Sequence, residues 1–281
     1  MDTASRPPTQ PRKPTFPLPR VVVTLSIATL VIFLVATPAG FLSKLDMVGY
    51  AVCHRITDRS FVLAGRQLPL CARCSGTFIG VLVGLFGQAV VLRRERAAEF
   101  PPPLVLVSLV GFMSLWAADG LNSYMTLING PHLYEPSNWL RLTTGALQGL
   151  TMSAFVYPVF NFTLWRDPTP ERTIRDLREL GILVLLEASL VVLVMALVIS
   201  GWTFPLYPLA GLGALGVLTL LTCINSMLIL MIVRRENLAD SWRESIVPLL
   251  AGLAVSLIQI GAIDAVRYAL TGTLVGIPPL Q

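Results

Sequence analysis

Charge is scarce in this 281-residue chain: Asp, Glu, Lys and Arg together make up 13% of it. A soluble domain carries about twice that share. The scarcity excludes a disordered chain and the charged surface of a nucleic-acid-binding domain. Cysteine is sparse as well, with four residues, which excludes a secreted module stapled by disulfides. Histidine occurs only twice. No P-loop, nucleophile elbow, HExxH or dinucleotide fingerprint is present, so no named enzyme class is indicated. Apolar residues, by contrast, make up 54% of the chain. A protein of this composition is surrounded by lipid rather than water.

A membrane-crossing helix needs about 20 mostly apolar residues. Seven such runs are legible: 21–42, 76–92, 104–121, 142–164, 180–200, 209–233 and 246–270. The expected fold is an all-α integral membrane protein, a bundle of about seven transmembrane helices. Three parts are expected: a basic, Pro-rich tail over 1–20, a four-helix membrane unit over 21–164, and three further helices over 165–281. Residues 43–76 form a cysteine-bearing segment inside the second part. The first run is longer than a signal-peptide core and reads as a span. In the connection after the fourth run, Thr169-Pro170-Glu171 predicts a helix start, with Glu171/Arg175 and Arg175/Glu179 spaced for surface pairs.

Arginine placement predicts the topology. Arg6, Arg12, Lys13 and Arg20 precede the first run; Arg93, Arg94 and Arg96 follow the second. Arg166, Arg172, Arg175 and Arg178 follow the fourth, and Arg234, Arg235 and Arg243 the sixth. Basic residues thus gather in alternate connections. The positive-inside rule puts these connections and the N-terminus in the cytoplasm of a cell-membrane protein, and the C-terminus outside.

One stretch departs from that pattern. Cys53-His54-Arg55 is followed by Cys71-Ala72-Arg73-Cys74, so three of the four cysteines and one of the two histidines lie within 22 residues. Cys53, His54, Cys71 and Cys74 make a possible tetrahedral set for zinc or another transition metal. Cys53 and His54 are neighbours, so both reach one ion only where the chain is irregular. A redox-active or structural disulfide and inert thiols are the competing chemistries. Ser75 stands where a c-type haem motif needs histidine. Cys223, alone in the sixth run, reads as an ordinary buried thiol.

Around the thiols, Arg55, Arg59 and Arg73 stand on the side where basic residues should be few. They suggest a surface for an anionic lipid or small anionic ligand, with pairing to Asp46 and Asp58 as the plainer account. The topology brings Asp119, Arg141, Asp264 and Arg267 to the same leaflet, and ionisable residues in spans mark function or paired contacts. Glu187 has no partner legible in the sequence. Gly76, Gly80 and Gly84, at four-residue spacing, predict a close helix–helix contact.

The run Cys53-His54 … Arg59-Ser60-Phe61 … Gly65 … Leu68-Pro69-Leu70-Cys71-Ala72-Arg73-Cys74-Ser75-Gly76 resembles a prokaryotic family of predicted membrane proteins, domain of unknown function 2085. Asp119-Gly120 and Arg141 … Thr144-Gly145 resemble that family's later motif. The resemblance covers about residues 45–150 and implies that the cysteine segment, Asp119 and Arg141 form one unit. It carries no reaction with it. Three readings remain: a metal-binding membrane protein, a membrane thiol-disulfide or quinone-linked oxidoreductase using Cys71 and Cys74, and a transporter or lipid-handling protein.

Overall fold

The computed structural model describes residue 16 and residues 18–274, so nearly all of the tail expected over 1–20 lies outside the described residues. Among these there are eight α-helices: α1 (Pro19–Ala36), α2 (Phe41–Val52), α3 (Ala72–Phe86), α4 (Pro103–Leu127), α5 (Asn138–Leu164), α6 (Leu177–Ile199), α7 (Leu206–Ile232) and α8 (Trp242–Thr271). A π turn, Gly87–Val91, prolongs α3. Six of these helices (α1, α3 with its π turn, α4, α6, α7 and α8) are long and apolar enough to cross a membrane. The protein is an all-α membrane protein. Helix α5, at 27 residues, is about 40 Å long, long enough to span but short of the apolarity of those six. It is less apolar because other helices surround it, and Arg141, Thr144, Thr151, Ser153 and Asn161 are buried along it.

The first expected span is divided. Helix α1 ends at Ala36, and Pro38 and Gly40, the latter at φ +98°, turn the chain before α2 begins. A proline removes a helical donor and glycine alone takes that φ without strain. Helix α2 is 12 residues, too short to cross. It buries Met47, Val48, Tyr50 and Ala51 and carries the chain into the cysteine segment. There, Ala64 and Gly65, both at positive φ, close a hairpin of β1 (Val62–Leu63) and β2 (Arg66–Gln67).

Helices α3 and α5 run side by side in the same direction at the centre. A Cβ on Gly76 would strike the Leu142 carbonyl, and one on Gly145 the Arg73 carbonyl. At Gly80 it would lie 2.8 Å from the Ala146 carbonyl and 3.1 Å from Glu187 Oε2. The glycine stripe therefore acts as expected: it lets two backbones touch where any side chain would hold them apart. Leu142 and Leu150 of α5 are wholly buried, in clusters that take in α6 and, respectively, α7 or α4.

The connection after α5 differs from the expected helix start. Thr169–Arg172 forms β4, which pairs in parallel with β3 (Ala97–Glu99). Helix α6 begins eight residues later than Thr169, at Leu177, where the Asp176 side chain accepts from the Glu179 backbone N–H at 2.9 Å. The cause is Arg94, whose buried guanidinium bonds Glu171 at 3.2 Å and Glu179 at 2.8 Å. Glu179 is thereby taken from the pair expected with Arg175, while Arg175 reaches Glu171 at 3.6 Å.

These contacts separate glycines that matter from those that do not. Gly145→Val is expected to lose at least 1–3 kcal/mol to overpacking, seen as a lower melting temperature in detergent. Gly181→Ala, where a Cβ meets nothing within 4 Å, is expected to melt no lower than the wild type. Equal melting of the two variants would contradict the packing.

Candidate metal centre and arginine cluster

Three side chains meet at one end of the bundle. Cys53 follows the last residue of α2, Cys71 caps the N-terminus of α3, and Cys74 lies in its first turn. Their sulfurs lie within 4.8 Å of one another. Gly49 makes this possible: a Cβ there would strike the Pro69 carbonyl, so its absence lets α2 deliver Cys53 to the head of α3. The Cys53 sulfur accepts backbone N–H groups from Arg55 at 3.4 Å and Cys71 at 3.3 Å.

The three sulfurs share charge unequally. Hydrogen bonds from Cys53 and Cys74 hold the Cys71 thiol well below its usual pKa, and Arg73 adds to the effect. Cys53, bonded to that thiolate and buried, is pushed up to about 12. The N-terminus of α3 also favours negative charge at Cys71. The cluster thus favours negative charge at Cys71 over Cys53.

His54 does not join them. Cys53 is in extended backbone at φ −134°, ψ 144°, where successive side chains diverge. His54 is exposed, and the set of converging ligand atoms contains only the three sulfurs.

Beside the thiols, three guanidiniums converge on α4. Arg73 forms a salt bridge with Asp119, bonding Oδ2 through Nη2 and through Nε at 3.1 Å. Asp119 is 2% exposed and also accepts from Tyr134 Oη at 2.8 Å and Thr144 Oγ1 at 3.4 Å. One turn on, the Ser123 carbonyl accepts from Arg59 at 2.6 Å, and its hydroxyl accepts from Arg73 at 3.0 Å and Arg141 at 3.4 Å. Arg141 further bonds Asn138 at 2.8 Å. Burial and the nearby Arg73 lower the Arg59 pKa. Partial burial and the bond to Asp119 push Tyr134 up to about 12. Cys71 is within electrostatic reach of Arg59, Arg73 and Arg141. Three guanidiniums therefore gather about the Asp119 carboxylate and Cys71, with Asp58 acting on Arg59 as well.

The remaining sequence candidates fall elsewhere. Arg55 pairs with Asp46 at 2.9 Å, as does Arg66 at 2.8 Å, which is the plainer account for Arg55. Arg267 donates to the carbonyls of Tyr50 and Cys53, the latter at 2.9 Å, and its guanidinium lies 4.0 Å from the Tyr50 ring centroid. It closes the end of α2 rather than pairing with Asp264. Asp264 faces a separate cavity between α1 and α8. Ser123 and Tyr134 are not among the residues that sequence reasoning singles out. The spacing of Asp119, Asn122 and Ser123 on one face of an apolar helix is the signal that marks Ser123; Tyr134 lies in a loop, where periodicity is silent. Asn122 fixes that loop, accepting from the Leu133 N–H at 2.7 Å and donating to the Tyr134 carbonyl at 2.8 Å.

Residues 53–155 match a family model described as a predicted membrane protein, domain of unknown function 2085. The match opens on Cys53 and ends within α5. It contains the three cysteines, Asp119 and the three converging arginines. An uncharacterized protein of Methanocaldococcus jannaschii is 29% identical over 109 residues, which are 39% of this chain and 64% of that protein. An uncharacterized protein of Methanothermobacter thermautotrophicus is 28% identical over 102 residues, which are 36% of this chain and 81% of that protein. The match therefore spans less than two thirds of the first relative's length. No solved structure matches the chain.

The two carboxylates of this end are expected to differ in weight. Asp119→Asn leaves Arg73 buried without its counter-charge, a loss of about 3–5 kcal/mol. Asp46→Asn releases Arg66, whose side chain is 41% exposed, and Arg55, at 10%; Asp46 is itself the more exposed carboxylate, 16% against 2% for Asp119, and its loss costs less. Denaturation or melting in detergent, read for both variants, checks the order.

Proposed function

We propose that this membrane protein holds a transition-metal ion, zinc by preference, in the thiolates of Cys53, Cys71 and Cys74, and binds an anionic ligand beside it through Arg59, Arg73 and Arg141. The observation that carries the reading is the meeting of three sulfurs within 4.8 Å from positions 53, 71 and 74. Thiolates about 2.3 Å from zinc in a tetrahedron lie roughly 3.8 Å apart, so the cluster needs little closure to take the ion. Two backbone N–H groups already point at the Cys53 sulfur, and such second-shell donors orient metal ligands. Three thiolates and Zn²⁺ sum to one negative charge, which the arginines balance. Catalytic zinc sites commonly have three protein ligands and one open position. His54, exposed and adjacent, is the nearest imidazole for a closed, structural site.

The anionic ligand is supported by the gathering of guanidiniums at one place. Three guanidiniums face Asp119 and the thiol cluster, and guanidinium suits carboxylate and phosphate. The arginine-rich connections at the opposite end favour a topology with that end in the cytoplasm and the thiol end outside. A thiol-disulfide oxidoreductase is the competing account of the same cysteines.

Elemental analysis of the purified protein is expected to find about one metal ion per chain, and Cys71→Ser and Cys74→Ser are expected to abolish it. His54→Ala is expected to keep it. Metal-free protein with a stoichiometric Cys71–Cys74 disulfide would overturn the metal reading in favour of the redox one. For the ligand, calorimetry with inorganic phosphate is expected to show binding weakened about tenfold or more in Arg141→Ala and Arg59→Ala, with metal content retained. Phosphate binding unchanged in both would remove the anion site and leave the metal reading standing.

A further inference from the structure

We propose that the cavity between α1 and α8 binds an organic monocation carried on an apolar body, with the Asp264 carboxylate as its counter-charge. This site is separate from the thiol end and does not depend on the metal reading.

The cavity has a volume of about 500 Å³, in the range of small-molecule sites. Phe33 and Thr37 of the α1 side, Met47 of α2, and Gly261, Asp264 and Tyr268 of α8 line it. Asp264 is 7% exposed, and its Oδ1 has no hydrogen-bond partner among the described residues. Of the cations nearest in the chain, Arg267 acts on Asp264 only through its charge, and neither it nor Lys44 is bonded to the carboxylate. Lys44 donates to the Leu34 and Thr37 carbonyls and to Thr37 Oγ1, the last at 3.2 Å. Arg267 is held on the carbonyls that end α2. A buried carboxylate without a partner is costly in an apolar setting, and in a membrane span it marks function by default.

The chemistry of the walls selects the ligand. An anion is repelled by the carboxylate, and a neutral ligand adds no counter-charge to that of Arg267. A bare divalent metal needs about six oxygens, while the side chains lining this cavity carry one carboxylate and the hydroxyls of Thr29, Thr37 and Tyr268, of which the two threonines donate to the Leu25 and Phe33 carbonyls. An organic cation needs one counter-charge and apolar contact, and the Phe33 and Tyr268 rings suit it through cation–π attraction. Gly261, one turn before Asp264, keeps the space open: a Cβ there meets nothing within 4 Å. Such a cation can come from an aminolipid headgroup or from a free amphiphilic amine dissolved in the bilayer.

The test uses the full chain in nanodiscs of phosphatidylglycerol, which carry no amine, with labelled benzyltrimethylammonium as the probe. Wild type is expected to bind it saturably at one per chain. Asp264→Asn is expected to weaken binding about tenfold or more, and Gly261→Leu to abolish it by filling the cavity, with melting temperature retained. The neutral carbon isostere, neopentylbenzene, is expected not to compete. Absence of saturable binding by the wild type, equal binding by both variants, or full competition by the isostere would overturn the proposal. Should Asp264→Asn fold poorly, Gly261→Leu, at an open position, and the isostere decide the matter. Replacing part of the lipid by phosphatidylethanolamine weakens probe binding if the headgroup is the native occupant and leaves it unchanged if a free amine is.

Discussion

Helices α3 and α5 touch backbone to backbone, and the thiol end of the molecule is built on that contact. Gly76, Gly145 and Gly149 leave no room for a Cβ. Their closeness carries Arg73, on the first turn of α3, to the buried face of α4, where Asp119 and Ser123 receive it. The same first turn bears Cys74, and Cys71 caps it. Were the helices held a side chain's width apart, the guanidinium would lose its carboxylate and the CxxC its fixed platform. Helix packing and site geometry are therefore one property here, because in lipid the close contact of small residues, rather than hydrophobic burial, holds helices together.

The charges of this end follow from the same arrangement. A lone guanidinium at membrane depth is costly, and three of them are tolerable only with dense hydrogen bonding. Asp119 and Ser123 supply it from one face of one helix. Asp119 takes bonds from three different residues, so its remaining acceptor capacity is small. Arg59, Arg73 and Arg141 remain within electrostatic reach of Cys71. At the other end, Arg94 does a comparable task for structure alone: two glutamates neutralise it and hold the β3–β4 pair to the start of α6.

The helices were legible in the sequence because lipid imposes a single rule, a long apolar run, and every run but the first lies on one helix. The cysteine cluster was legible from spacing; charge placement set Asp119 beside Arg141, whereas the carboxylate pairs with Arg73. What spacing could not show was direction. Cys53 and His54 are adjacent, yet extended backbone turns them apart. Asp264 and Arg267 share a helix face, yet Arg267 is drawn to unpaired carbonyls at the end of α2. Short polar elements were least legible. Helix α2 merges into the first span in the sequence because its apolar residues continue that run. The Thr169 segment carries helix-start residues but is drawn into a strand by ion pairs from 75 or more residues away, a distance no local pattern encodes.

The bond from Arg267 to the Cys53 carbonyl bears on modularity. The segment that matches other proteins, 53–155, ends before α6, and the matched relatives are shorter than this chain. It would be natural to regard the last three helices as an appendage. Yet α8 closes the arm that carries Cys53, and Ala214 and Val217 of α7 pack in one core cluster with Cys53, Leu70 and Ile260 of α8. A cut after α5 would therefore leave α2 with open terminal carbonyls and one sulfur arm without its backing. In this chain the shared segment has become dependent on its C-terminal helices, so its boundary in sequence is not a boundary in mechanics.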